Sequence, residues 1–133
     1  MRKSILLLAA GLSTLCLSAS QAETVVIVHP SASTPTKEQV ADVYLGKNQS
    51  LTPIDQPESA PIRAEFYKKV TGRDLPQVKA TWSRLIFSGK AQPPKEMADA
   101  AAVKKAVAAD PKDVGYIDKA AADSSVKVAF SVE

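Results

Sequence analysis

Apolar and polar positions along this chain change period several times, and each change marks an element. Val25-Val26-Ile27-Val28 is an unbroken β-branched run, which predicts a strand covered on both faces. Pro30 and Pro35 bracket a Ser/Thr-rich loop that cannot continue it. Thr36 followed three residues later by Gln39 is a capping box, so a helix starts there. Val40, Val43 and Tyr44 share its inner face, and Gly46 ends it. Asn48 to Thr52 reads as a turn, and Pro53 to Gln56 as a short extended piece.

Three helical patterns follow. Ser59 is a candidate N-cap with Pro61 in the first turn, and Ile62, Phe66 and Val70 recur at i, i+4, i+8 before Gly72. Asp74 and Gln77 form a second capping box, and Val78, Trp82, Leu85 and Ile86 make an apolar stripe. Ser88 to Pro94 is a loop rich in glycine and proline, after which an alanine-rich helix runs to about Ala109 and stops at Pro111. Val114 to Ile117 reads as a strand. Val126, Val128, Phe130 and Val132 alternate strictly, which predicts a last strand with one buried face. Helices placed between strands imply an α/β fold with helices on both faces of a small sheet. Trp82, Phe66 and Ile86 are expected in its core, and Trp82 is read as core rather than as a ligand-stacking surface.

The first residues change the picture of the whole. Arg2 and Lys3 precede a mostly apolar stretch, and Ser20-Gln21-Ala22 places small residues where a signal peptidase looks. Residues 1–22 are therefore expected to be a signal peptide and residues 23–133 a single periplasmic domain. The apolar stretch is too short to span a membrane. Its Cys16 lacks a lipobox and is the chain's one cysteine, so the exported domain has no disulfide, thiolate metal site or cysteine nucleophile. The chain carries 17 basic and 14 acidic residues. Two of the basic ones leave with the leader, so the domain is nearly neutral. No basic patch or aromatic ladder suggests nucleic acid.

Candidate chemistry is sparse. One His, His29, and scattered carboxylates offer no metal cluster and no cofactor site. A Ser59–His29–Asp55 set can be drawn, but no Gly-x-Ser-x-Gly elbow supports it, and no catalytic residue is expected. Asp55 and Glu58 could pair with Arg63 or Lys68 and staple the start of their helix. An anion is the ligand class with a physical case. The helix opened by Ser59 offers free N–H groups and a positive dipole end, and Arg63 lies one turn in. The Ser31-Ala32-Ser33-Thr34 loop follows a buried strand, a usual mouth for an α/β site. The same residues also read as an ordinary cap, a solvated charge and a linker.

The ordered series Asp42-Val43-Tyr44-Leu45-Gly46-Lys47, Asp55-Gln56-Pro57-Glu58-Ser59 and Val114-Gly115-Tyr116-Ile117 resembles one lobe of the periplasmic phosphate-binding proteins of ABC transporters. Trp82 to Lys90, followed by Pro93-Pro94, is similar to the smaller one-domain relatives. The resemblance covers nearly all of residues 23–133 and implies a small mixed sheet of the type 2 binding-protein kind. It implies that Ser59 corresponds to the family's phosphate serine. It also marks departures: the Gly and Thr after that serine are Ala60 and Pro61, and the Arg four residues before it is Asp55. Proline removes a donor and the carboxylate repels phosphate.

The expectation is thus a non-enzymatic periplasmic domain that binds inorganic phosphate or another small oxyanion weakly, linked to phosphate uptake. Ser59, Ile62, Arg63, Ser31, Ser33 and Thr34 are its candidate ligand-binding residues. The alternative is an interaction module that has lost ligand binding and docks on an envelope protein or on a second copy. Neither needs a cofactor, nucleic acid or a membrane span. The intact mass of the exported protein should correspond to a chain starting at Glu23; a mass retaining Met1, or acylated at Cys16, overturns the soluble periplasmic assignment.

Overall fold

In the computed structural model, residues 23–132 are described; the expected leader, the expected cleavage site and Cys16 lie outside the described residues. In chain order the elements are β1 (Thr24–Val28), α1 (Lys37–Tyr44), β2 (Thr52–Asp55), α2 (Pro61–Thr71), α3 (Leu75–Phe87), β3 (Lys95–Glu96), α4 (Ala100–Ala109), β4 (Asp113–Asp118) and β5 (Lys127–Val132). One mixed sheet has the order β3-β2-β4-β1-β5. β1 is antiparallel to both neighbours, whereas β2 runs parallel to β4 and to the short edge strand β3. The edge strand lies just beyond the loop at Ser88 to Pro94, in a stretch too short to carry a periodic signal.

All of β1 is buried, as its unbroken apolar run demands. Val26 and Val28 face a core built with α1, α2 and α3, including Val40, Tyr44, Phe66 and Trp82. Val25 and Ile27 face a second core with Val103 and Val107 of α4. Helices therefore cover both faces of the sheet. Gly115 lets α4 come close, since a Cβ there would stand 2.5 Å from Val103 Cγ1.

Two capping boxes form where the sequence predicts them, at Thr36 with Gln39 and at Asp74 with Gln77. Ser59 does not cap α2. The Ala60 amide first closes a turn onto the Pro57 carbonyl at 2.9 Å, which delays the helix by one residue. Ala60 becomes the N-cap, without a side-chain bond, and Pro61 takes the first helical position that suits its missing N–H.

Two core expectations change. Trp82 and Phe66 are buried, but Ile86 is 49% exposed and the following Phe87 is 96% exposed. Trp82 anchors α3 by donating from Nε1 to the Tyr44 carbonyl at 2.8 Å. Gly46, at φ 75°, sits against Trp82 and Leu85, close enough that a Cβ would clash with Leu85. The inward side of the next turn thus belongs to Leu85, and Ile86 turns outward. In β5, the pairing shifts between Val26–Phe130 and Ile27–Val128, leaving Ala129 as a bulge. The bulge breaks the expected single buried face: Phe130 and Val132 join one core and Val126 the other, while Val128 is 44% exposed at the edge.

Trp82→Ala should cost about 3–5 kcal/mol, the usual cost of emptying a large buried aromatic site, read from urea unfolding of residues 23–133. A loss near zero would mean that α3 is not anchored through Trp82.

Candidate functional site

β2 and β4 run parallel and end together, so the segment after β2 and the end of β4 share one end of the sheet. β1 runs the other way and delivers the Ser31–Thr34 loop to the opposite end. That loop meets the starts of the parallel strands. Ser33 and Thr34 line a shallow hollow with Ser50, Leu51, Pro111 and Lys112. Ser31 Oγ lies 2.7 Å from His29 Nδ1. Of the candidate ligand residues, Ser59, Ile62 and Arg63 are together at the start of α2, and Ser31, Ser33 and Thr34 are not with them. The Ser59–His29–Asp55 set is separated for the same reason.

The end of β2 holds a buried carboxylate. Asp55 is 2% exposed. Its Oδ2 accepts from Tyr67 Oη at 2.6 Å, and its Oδ1 accepts from Tyr116 Oη and from the Gln56 amide at 3.0 Å. Arg63 Nε stands 3.7 Å from Oδ1. Arg63 and Tyr67 are four residues apart on α2 and so share a face. Arg63 also donates from Nη1 to the Gln56 carbonyl at 2.8 Å and reaches Glu96 of β3 at 3.6 Å. The sequence expectation of an Asp55–Arg63 pair is met, while Glu58 pairs with Lys79 at 4.0 Å rather than with Lys68.

An aromatic raft fixes these donors. Tyr116 stacks on Phe66 at 4.1 Å and 7°, and Tyr67 meets Phe66 edge-on at 5.5 Å. Tyr44 packs edge-on against Phe66, Tyr67 and Tyr116 and donates to the Ile54 carbonyl at 2.7 Å. Burial, and then the Asp55 charge, push the hydroxyls of Tyr44, Tyr67 and Tyr116 far above the ordinary tyrosine value. Nothing in helical or strand periodicity announces this cluster. The one available signal was a polar pair, Asp55-Gln56, at the end of a strand that the fold buries.

Beside the carboxylate lies a concavity of about 280 Å³, walled by Trp82, Ile86, Pro93 and Pro94 and carrying Asp55, Glu58, Glu96, Arg63 and Lys79. Three carboxylates face two cations, and Arg63 is engaged with two of the three. At the start of α2, Pro61 has no N–H and the Arg63 amide donates to the Ala60 carbonyl, which leaves the Ile62 amide as the donor in the first turn. Among the described residues no group of three or more His, Cys, Asp or Glu could hold a metal ion, and no helix is long and apolar enough to cross a membrane.

No protein-family model and no curated protein matches the sequence. Solved structures do match the fold. An ABC-type phosphate transport receptor from Vibrio cholerae superposes with TM-score 0.62 at 18% identity, over 80% of this chain and 44% of that one. A phosphate ABC transporter substrate-binding protein from Clostridium perfringens, solved with bound phosphate, gives 0.64 at 17%, over 80% and 43%. PstS from Borrelia burgdorferi gives 0.61 at 14%, over 80% and 46%. The fold is that of one lobe of these binding proteins. The chain spans less than half the length of each; the first is a transport receptor and the second a substrate-binding protein.

The three raised tyrosines give a pH dependence. A group whose folded value lies above its unfolded value stabilises the fold fully below the unfolded value, and that contribution is lost as pH rises. Stability should therefore hold between about pH 7 and about pH 9 and fall above about pH 10, where tyrosines of the unfolded chain release protons that the folded chain retains. Tyr67→Phe should lower stability at neutral pH by about 1–3 kcal/mol, a hydrogen bond to a charged group, and flatten the alkaline fall. Urea midpoints across this range test both; an unchanged midpoint at high pH contradicts the burial of the three hydroxyls.

Proposed function

We propose that residues 23–133 act in the periplasm as a non-catalytic docking module, with the end of the sheet that carries α2 and α3 as its working face. The observation that carries this reading is the last turn of α3. Ile86 is 49% and Phe87 96% exposed, side by side, and Ile86 forms a wall of the concavity together with Pro93 and Pro94. Large apolar groups left bare next to a hollow are the usual anchors of an interface, where burying one aromatic can dominate the binding energy. The carboxylates Glu58 and Glu96 at the rim favour a partner with basic groups.

A second reading is favoured by the fold neighbours, one of which was solved with phosphate. In it the domain binds phosphate or a related oxyanion weakly, linked to phosphate uptake, through the Ser59 hydroxyl, the Ile62 amide and Arg63. Ser31, Ser33 and Thr34 would act there only by way of a partner or a second copy, since they lie at the far end of the sheet. The engagement of Arg63 by Asp55 and Glu96, and the loss of a donor at Pro61, oppose it.

Two measurements separate the readings. Affinity capture from envelope extracts, with Phe87→Asp as the paired control, should retain a defined partner on the wild type and lose it on the variant, with unchanged melting of the domain. Light scattering distinguishes a second copy from another protein. Calorimetry with phosphate and sulfate should give no heat. A binding isotherm abolished by Arg63→Ala and untouched by Lys47→Ala, with no partner captured, replaces docking by the oxyanion reading.

A further inference from the structure

We propose that Asp55 is a tethered ligand: its side chain fills an anion-binding site that the rest of the domain builds, so free oxyanions are kept out of it. The donors come from three elements and converge on one point. Gln56 supplies a backbone N–H, α2 supplies Tyr67 Oη and the Arg63 guanidinium, and β4 supplies Tyr116 Oη. Apart from the Gln56 amide, none of them depends on residue 55 for its position. Tyr116 and Tyr67 are held by stacking and edge contacts with Phe66, and Arg63 by its bond to the Gln56 carbonyl. Such donors stay in place if the carboxylate is removed, which is the condition for a preorganised site.

Two further features point to a site rather than a simple structural bridge. Arg63 Nε is buried and has no hydrogen-bond partner among the described residues, because Asp55 Oδ1 stops 3.7 Å short of it. The tethered carboxylate thus leaves one donor unused, as a side chain on a fixed backbone does when it fits less well than a free anion could. The cluster also has an entrance. Asp55, Arg63 and Tyr67 all line the concavity of about 280 Å³ that opens to solvent. The ligand class follows from the donors: two hydroxyls, an amide and a guanidinium suit a small planar carboxylate. The residue at position 55 then decides whether the domain holds its own anion or admits one from outside. The inference stands on this geometry and does not depend on the docking reading.

The test is chemical rescue of Asp55→Gly by sodium formate, the free counterpart of the deleted carboxylate, against sodium chloride at equal ionic strength. The variant should melt below the wild type in chloride and recover saturably in formate. Half-recovery is expected at about millimolar concentration, the range open to a ligand of three heavy atoms. Wild type should show no difference between the salts. Adding Tyr67→Phe and Tyr116→Phe to Asp55→Gly removes the two hydroxyl donors and should abolish the rescue. If Asp55→Gly does not fold in chloride, refolding yield is the readout: recovery in formate alone supports the tethered ligand. Equal effects of formate and chloride, equal formate effects on wild type and variant, or failure to fold in either salt overturns it.

Discussion

A carboxylate removed from water must be met by donors, and the need to satisfy Asp55 organises one whole end of this domain. Its partners arrive from the residue that follows β2, from α2 and from β4, so one buried charge is met from three separate parts of the fold. Tyr67 and Tyr116 can serve only because the raft of Phe66 and Tyr44 holds their rings. Tyr44 in turn ties α1 to the sheet through the Ile54 carbonyl, and its own carbonyl accepts from Trp82 on α3. The three helices of that face are thereby linked to one buried polar centre. Removing a single member leaves another polar group unpaired in a dry interior, which costs more than the bond itself contributes.

Strand direction decides which loops can cooperate. In a parallel pair the carboxyl ends lie side by side and make a mouth for a site. β2 and β4 do this, and the segment from Asp55 to Arg63 is built over their ends. β1 is antiparallel, so everything that follows it, including His29 and the serine loop, is carried to the other end. A reading that treats each strand–loop junction as a potential mouth places both loops together. The sheet permits only one of them.

What the sequence made legible follows from the range of the interactions involved. Capping boxes at Thr36 and Asp74 are satisfied within three residues and form as predicted. The buried run at Val25–Val28 is legible because a central strand needs no polar face. Ser59 failed as a cap because Pro57 to Ala60 close a turn of their own through the Ala60 amide, and the helix starts only after it. Ile86 failed because its exposure depends on Gly46 and Leu85, which settle between them which side of α3 turns inward. The β5 alternation failed at a bulge, which is a property of pairing and not of the strand itself. The Asp55 cluster joins positions some sixty residues apart, and no local pattern encodes such a meeting. The resemblance to one lobe of the phosphate-binding proteins reached the fold because the order and spacing of elements carry it even where few residues are shared.

The side chains at the start of α2 bear on function more than the shared fold does. A phosphate site at a helix start works by accumulating donors and positive charge. Here Pro61 deletes a donor, the Arg63 amide is used by Ala60, and the guanidinium is shared between Asp55 and Glu96. Each feature acts against an added anion. An incoming oxyanion would have to displace an internal carboxylate that is covalently attached and therefore sacrifices no translational freedom to stay bound. Such competition is won by the tethered group unless the free anion makes better contacts. The opposite requirement holds for Phe87 and Ile86. Neither belongs to the two cores of the domain, and Phe87 is almost fully bare. Apolar area that does not serve the fold of its own chain is accounted for most simply by another surface that covers it.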